Sequence, residues 1–519
     1  MASAAPARGR PRGPAAPIED VAALPAQNTG LLIFGVMLAS LLQVLDITIA
    51  NVAIPHMQST LGAGPDTITW VLTSYIIATA VAMPITGWLA DRVGGRRLFI
   101  LSTGGFIAAS VLCGLAQNLT EMVLFRALQG VAGAFIAPLS QSFMLDSTRP
   151  SRHAQMMALW GLGVMIGPIV GPVLGGWLTE NWDWRFVFFV NLPLGVLALA
   201  VLVATLPHRP TRRRRFDLAG FFYLGLALAS LQLLLDRGQR LDWFESYEIW
   251  LYAFLAVSGA WFAVVHFLTA KDPLFERELF ADRNFVVAVM FMFVVGIVMF
   301  AVMALLPPMM QQLLGYGVID TGLALMPRGV GVLISMQLAG LAVRLGADPR
   351  VLVGMGLAIV GLSLWEMAHW SLAVDYRHIW WTGIVQGLGM GFVFIPLQAI
   401  AFATLPPRFR TDGSSLLNLL RSLGSSVGIS ITTILLVRSI QTSHQDLASH
   451  VTAASSSMFD LSRMDRFQTA GQAALAFADA EINRQAAMIG YINDFWFMMW
   501  LCFASIPLVL FMRTVRRRR

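Results

Sequence analysis

Residues 87–97 read GWLADRVGGRR, and residues 340–350 read GLAVRLGADPR. A second pair, QGVAGAFIAPLSQ at 129–141 and QGLGMGFVFIPLQ at 386–398, recurs at nearly the same distance, 257 residues against 253. Chance similarity has no reason to preserve spacing, so two matches at one offset point to a duplicated unit. Around both copies the apolar residues arrive in blocks of about 20, the length at which a helix crosses a bilayer core. What is duplicated is therefore a multi-helix membrane unit.

Composition agrees. The chain has 519 residues, 57% hydrophobic and 13% charged, with mean hydropathy +0.68; a soluble domain carries roughly a quarter charged residues. A membrane β-barrel would show short alternating strands instead. Fourteen spans are expected, near 31–54, 69–90, 98–117, 119–143, 154–178, 186–205, 218–236 and 248–268, then 285–313, 319–343, 351–370, 378–404, 415–438 and 491–512. Six belong to each copy and two lie between them. The expected organisation is a disordered tail (1–28), an N-terminal six-helix bundle (29–206), a basic loop with two linker helices (207–270), and a C-terminal six-helix bundle (271–519). The last includes a polar loop at 440–490, read as a docking surface or as variable filler.

Orientation follows from arginine. With the N-terminus inside, cytoplasmic segments collect 25 of the 36 Lys and Arg, and the opposite side 8. The positive-inside rule then puts both termini in the cytoplasm. The basic tail, RTVRRRR, is a topology signal that also suits anionic membrane lipid; no nucleic-acid partner is expected. The N-terminus, MASAAPARGRPRGPAAPIED, has no apolar core and is not a cleavable signal peptide.

Several chemistries are excluded. Lys271 is the single lysine and follows no Gly-rich turn, so no phosphate-cradling loop and no ATPase can be built. Cys113 and Cys502 lie far apart in apolar spans, and the histidines show no metal spacing. No nucleophile–base pair appears, so the chain does not read as an enzyme and implies no metal or cofactor.

The informative residues are polar groups inside apolar spans. Asp46 and Asn51 interrupt the first span, in VLDITIANVAIP, and Arg126 interrupts the fourth, in LFRALQG. Charges there are costly and normally face a partner or a wet cavity, unless the arginine merely snorkels to the surface. Arg126 lies roughly 10 Å and Asp46 roughly 13 Å from the same face along their helices. They meet if spans one and four are neighbours. Burial disfavours an ionised carboxyl and a nearby arginine favours it. Such a pair is suited to alternate between protonated and salt-bridged states, the coupling a transporter without ATP needs. Asp236, at the end of the seventh span, is a second acid of this kind, although loop solvation explains it equally well.

In the loop after span two, Gly87, Gly94 and Gly95 permit tight turns, and Asp91, Arg92, Arg96 and Arg97 concentrate charge at the cytoplasmic mouth. In span five, Gly163, Gly167, Gly171 and Gly175 recur every four residues and form one nearly bare stripe for close helix packing. Pro168 and Pro172 should bend that helix. Gln129, Gln141, Trp160, Asn418 and Arg421, with Asn51, are candidate substrate-cavity groups.

G-x-L-A-D-R-x-G-G-R-R resembles the signature loop of the major facilitator superfamily. The pattern G-x-x-x-G-P-x-x-G-P-x-x-G-G resembles its antiporter motif. LQVLDITIANVAIP, FRALQG, WDWRFVFFVNLPLG, LQLLLDRGQRLDWF, PLFERELFADRNF and LLNLLRSLGSSVG are similar to the EmrB/QacA family of fourteen-helix drug:proton antiporters, over essentially the whole chain after residue 29. The resemblance implies an all-α polytopic membrane protein with the major facilitator fold: two pseudo-symmetric six-helix bundles plus two inserted helices. It also implies a proton-driven exporter of small lipophilic compounds (drugs, weak acids or uncouplers) in the bacterial inner membrane. A periplasmic membrane-fusion adaptor and an outer-membrane channel would be its partners. The other readings are a fatty-acid or metabolite exporter of the same fold, an uncoupled facilitative transporter, and a membrane protein that moves no solute. The chain departs from the pattern twice: the second loop, GLAVRLGADPR, lacks the Asp of the first, and the thirteenth span, read as 415–438, offers no acid.

Overall fold

The computed structural model describes residues 20–64, 66–212, 214–450 and 468–513. Most of the expected tail, the middle of the 440–490 loop and the final arginines lie outside these. The described chain is helical, and thirteen stretches are long and apolar enough to cross a membrane. One of them, Trp70–Leu115, runs for 46 residues, roughly 69 Å at 1.5 Å per residue. That is over twice the ~30 Å bilayer core. At Gly94 the backbone turns to a φ of 97°, a conformation only glycine adopts without strain. The stretch folds back there and makes two crossings, so there are fourteen.

The helices are α1 (Thr29–Thr60), α2 (Trp70–Ala82), α3 (Gly95–Leu115), α4 (Leu119–Asp146), α5 (Pro150–Asn181), α6 (Phe186–Thr205), α7 (Leu218–Arg237) and α8 (Tyr247–Thr269). They continue as α9 (Arg283–Pro308), α10 (Val318–Arg344), α11 (Pro349–Met367), α12 (Tyr376–Ala403), α13 (Arg410–Ser449) and α14 (Gln468–Ser505).

Packing repeats with a step of eight helices. In the first half α1 packs on α4, α5 and α6, α4 on α2 and α3, and α3 on α6. In the second, α9 packs on α12, α13 and α14, α12 on α10 and α11, and α11 on α14. The interface between the halves obeys the same symmetry. There α5 meets α10 and α12, while α13 meets α4 and the α2 region. Two copies of one six-helix unit thus face each other across a pseudo-two-fold axis.

The inserted pair stands aside. Helix α7 packs on α2 and α13, and α8 packs on α7. Trp250, Phe254, Val257 and Trp261 of α8 are exposed, as an apolar face turned to lipid should be.

In the 440–490 segment the stretch 465–487, DRFQTAGQAALAFADAEINRQAA, reads as helical and is so from Gln468 on; the continuation of the preceding helix into the segment is not expected. Helix α13 runs unbroken for 40 residues, roughly 60 Å, and α14 for 38. Asn493 donates to Ser439 at 2.6 Å and His444 contacts Asp479 at 3.1 Å, so the arms pair as a helical hairpin beyond the apolar core. Hydropathy marks where the membrane ends. It does not mark where a helix ends, and QTSHQDLASH contains neither Gly nor Pro to interrupt one.

Candidate functional site

The register of α4 is set at its start. Asn118 Oδ1 accepts from the Glu121 amide at 2.9 Å, and Glu121 reaches back to the Gln117 amide at 2.9 Å, a reciprocal cap. Two turns on, Arg126 and Gln129 share a face, as residues three apart must. That face meets α1 at Asp46.

Asp46 and Arg126 are fully buried and 2.6 Å apart. Asp46 accepts three bonds: from Arg126 Nη1, from Gln129 Nε2 at 2.9 Å and from Asn191 Nδ2 at 2.7 Å. Arg126 also donates to Gln129 Oε1 at 2.7 Å and, through Nε, to the Val71 carbonyl at 3.1 Å. Its guanidinium lies 4.5 Å from the Tyr75 ring centroid. Asn191 in turn donates to Ser110 Oγ at 3.0 Å. One carboxylate therefore ties α1, α4 and α6 together inside the first half, with α2 and α3 drawn in.

A second network closes the interface between the halves at the Arg-rich end. Asp146, the last residue of α4, pairs with Arg410 of α13 at 2.7 Å and with Arg209 at 3.4 Å. Arg209 also donates to Thr411 Oγ1 at 3.0 Å and the Pro407 carbonyl at 3.0 Å. Arg214, from the same α6–α7 connector, bridges Asp412 at 3.0 Å and Asp91 at 3.6 Å. Deeper in, Gln141 accepts from Ser414 and from Asn418 Nδ2 at 3.0 Å, and Arg421 donates to Asn418 Oδ1 at 3.1 Å. Both bundles and their connector are interlocked here.

The Major Facilitator Superfamily profile matches residues 36–429. The multidrug export protein EmrB of Escherichia coli (strain K12) is 35% identical over 479 residues, 91% of this chain and 93% of that one. The chain belongs to the EmrB-like branch of the major facilitator superfamily. The fatty acid resistance protein FarB of Neisseria gonorrhoeae is 34% identical over 91% of this chain and 94% of its own. Among solved structures, the human organic anion transporter MFSD10 superposes with a TM-score of 0.59 at 14% identity, covering 91% of this chain and 99% of that one. A double tryptophan mutant of XylE does so with 0.62 at 12% identity, covering 94% and 97%.

In this EmrB-like protein the antiporter-motif glycines carry the α1–α5 contact. A Cβ on Gly167 would lie 2.9 Å from Val44, on Gly171 2.1 Å from Thr48 Oγ1, and on Gly175 3.2 Å from the Ile49 carbonyl. Gly163 faces Met37 in the same way. Helix α5 continues through Pro168 and Pro172, with Thr48 donating to the Gly167 carbonyl at 3.3 Å. Asp46 thus sits on a helix pressed backbone to backbone against the interface helix α5.

Other residues fall elsewhere than expected. Gln129, read as lining a substrate cavity, belongs to the Asp46 cluster. Trp160 bonds Ser40 at 3.0 Å within the first half, and Asn51 is exposed on α1 without joining the group. Asp236 accepts from Thr73 and borders a 160 Å³ cavity with Trp70, Arg237 and Arg240, apart from Asp46. Of the arginines in GWLADRVGGRR, Arg92 and Arg97 are exposed, while Arg96, in the first turn of α3, donates to the Val203 carbonyl at 2.6 Å. The acids that bind the halves together also include Asp146 and Asp412. Asp412 corrects the reading of an acid-free thirteenth span, because α13 begins five residues earlier than hydropathy implied. Asn191 was legible by the criterion that found Asp46, a polar residue within an apolar run (FVFFVNLPLG).

Proposed function

We propose that this protein exports lipophilic compounds, including drugs and weak acids, in exchange for protons by alternating access. One observation supports this most: Asp46 holds three helices together through three donors. A proton arriving at Asp46 turns an acceptor into a donor facing Arg126. Charge-assisted bonds of about 1.5–3 kcal/mol each are then lost or weakened. Helices α1, α4 and α6 are released from one another, and α1 transmits the change through the glycine stripe to α5 at the bundle interface. The network of Asp146, Asp412, Asp91, Arg209, Arg214 and Arg410 is the gate that this release opens. The six-helix bundles at 29–206 and 271–519 are the moving bodies, joined by the linker region 207–270.

The proton gradient supplies the energy and no cofactor takes part. The Arg-rich end and both termini lie in the cytoplasm of a cell with an inner membrane. The α13–α14 hairpin then projects into the periplasm, where a membrane-fusion adaptor leading to an outer-membrane channel would meet it. The similarity to FarB supports a second reading, fatty-acid export by the same machinery. In vesicles with an imposed pH gradient, wild type should move substrate and Asp46→Asn should not. Full gradient-driven efflux by that variant would sink the proposal.

A further inference from the structure

The 253-residue offset of the duplicated loops, applied to the Asp46 cluster, places Met299 where Asp46 stands and Arg328 where Tyr75 stands. The 257-residue offset places Gly383 at the position of Arg126 and Gln386 at that of Gln129. These residues meet in the second half as their counterparts do in the first. Arg328 Nη2 donates to the Met299 carbonyl at 3.3 Å, and a Cβ on Gly383 would lie 3.6 Å from the Arg328 Cβ. Arg328 and Gln386 border one small cavity. The two halves therefore hold a polar centre of the same placement and unlike chemistry. The acid has become methionine, and the arginine has moved from the fourth helix of the unit to the second.

That exchange leaves a buried cation with a carbonyl but no acid, beside two poorly matched neutral donors. Arg328 is 8% exposed, and among the described residues no carboxylate lies within ion-pair distance of it. Trp370 borders the same cavity, is 7% exposed, and its buried Nε1 has no acceptor among the described residues. Gln386 is 1% exposed, and its amide nitrogen reaches only the Met367 sulfur at 3.8 Å. A buried guanidinium without an anion is costly, and so is a buried N–H without an acceptor. The space they surround, 10 Å³, admits about one water-sized atom.

We propose that Arg328, Trp370 and Gln386 bind one carboxylate group in the core of the C-terminal half. A cation flanked by two neutral donors is the complement of a carboxylate, and the single-atom space suits one of its oxygens. The carboxylate has two possible sources. One is within the chain: Asp494 of α14 is fully buried, and both its oxygens lack a partner among the described residues. Its neighbour Phe495 packs edge-on against Trp370, with ring centroids 6.0 Å apart. The other is a small carboxylic acid from solution. The proposal does not depend on proton coupling at Asp46.

The test uses purified full-length protein in detergent and follows its thermal unfolding midpoint. Formate is the probe, formamide its neutral counterpart, and isethionate holds ionic strength constant. If the carboxylate comes from solution, about 100 mM formate raises the wild-type midpoint by about 1–3 °C and formamide does not. If Asp494 supplies it, wild type is indifferent and Asp494→Asn gains the formate response. In either case Arg328→Gln abolishes the response, and Trp370→Phe, which keeps the ring and removes one donor, at least halves it. The Trp370→Phe result decides alone if Arg328→Gln does not fold. No formate response in either the wild-type or the Asp494→Asn background overturns the proposal. So does a response that survives the Trp370 substitution unchanged.

Discussion

Asp412 occupies the space that a side chain at residue 87 would need: a Cβ on Gly87 would lie 1.6 Å from Asp412 Oδ1. Gly87 lies within a helical turn, Thr86–Leu89, and not in the tight turn expected of it, so glycine there is a contact requirement of the opposite bundle. Gly87→Ala should push Asp412 away from Arg214 and loosen the closed end by about 1.5–3 kcal/mol, the worth of one charged hydrogen bond. The check is the labelling rate of a Thr411→Cys thiol by a membrane-impermeant reagent applied from the Arg-rich face. It should rise several-fold in the Gly87→Ala background, and an unchanged rate would count against the contact.

Within that closed end, burial ranks the charges. Asp146→Asn leaves Arg410, itself only 7% exposed, without its acid, a loss of about 3–5 kcal/mol for a buried pair. Arg92→Gln, at an exposed position, should change stability by no more than about 0.5 kcal/mol. Unfolding midpoints of the two variants measure the contrast. Equal effects would mean that the closure does not rest on the buried pair.

The α1–α5 contact makes a paired prediction. Gly171→Ala places a methyl group 2.1 Å from Thr48 Oγ1, and overpacking of this kind costs about 1–3 kcal/mol. Thr48→Ala removes the hydroxyl and leaves its Cβ 2.8 Å away, so the double variant should recover part of the lost stability and transport. Additive losses in the double variant would show that Thr48 is not the obstruction.

The hairpin is directly testable. Cysteines replacing Ser439 and Asn493, whose side chains are hydrogen-bonded, should cross-link under mild oxidation. Cysteines replacing Gln441 and Asn493 should do so far less. Free thiols in the first variant would contradict a paired α13–α14 extension.

Much of the candidate site was legible because the membrane penalises charge so strongly. Asp46 and Arg126 stood out as charged groups in apolar runs, and similar depth allowed them to meet once spans one and four proved to be neighbours. The spacing of Gly163, Gly167, Gly171 and Gly175 likewise marked a helix–helix contact. Arg209 and Arg214 were not legible in this way. Within RPTRRRR they are indistinguishable from ordinary topology charge, and only the fold brings Asp146 and Asp412 to meet them. Asp412 and Asp146 were further hidden by lying just outside the apolar runs, at helix ends that hydropathy does not detect.

The sequence by itself determined the number of crossings, the duplication, and that Asp46 and Arg126 had to be buried. Each follows from a local cost, paid wherever the chain folds: a polar backbone in lipid must be helical, and a charge in lipid needs a partner. Tertiary structure decided which partner. Asp46 could have met any donor at its depth, and packing chose Arg126, Gln129 and Asn191. Arg328 stands at the position of its symmetry mate Tyr75 but meets no acid among the described residues, and the position facing it carries Met299. Pairing depends on which helix faces which. That is set by the sum of side-chain contacts across the whole bundle and is written in no single stretch of the chain.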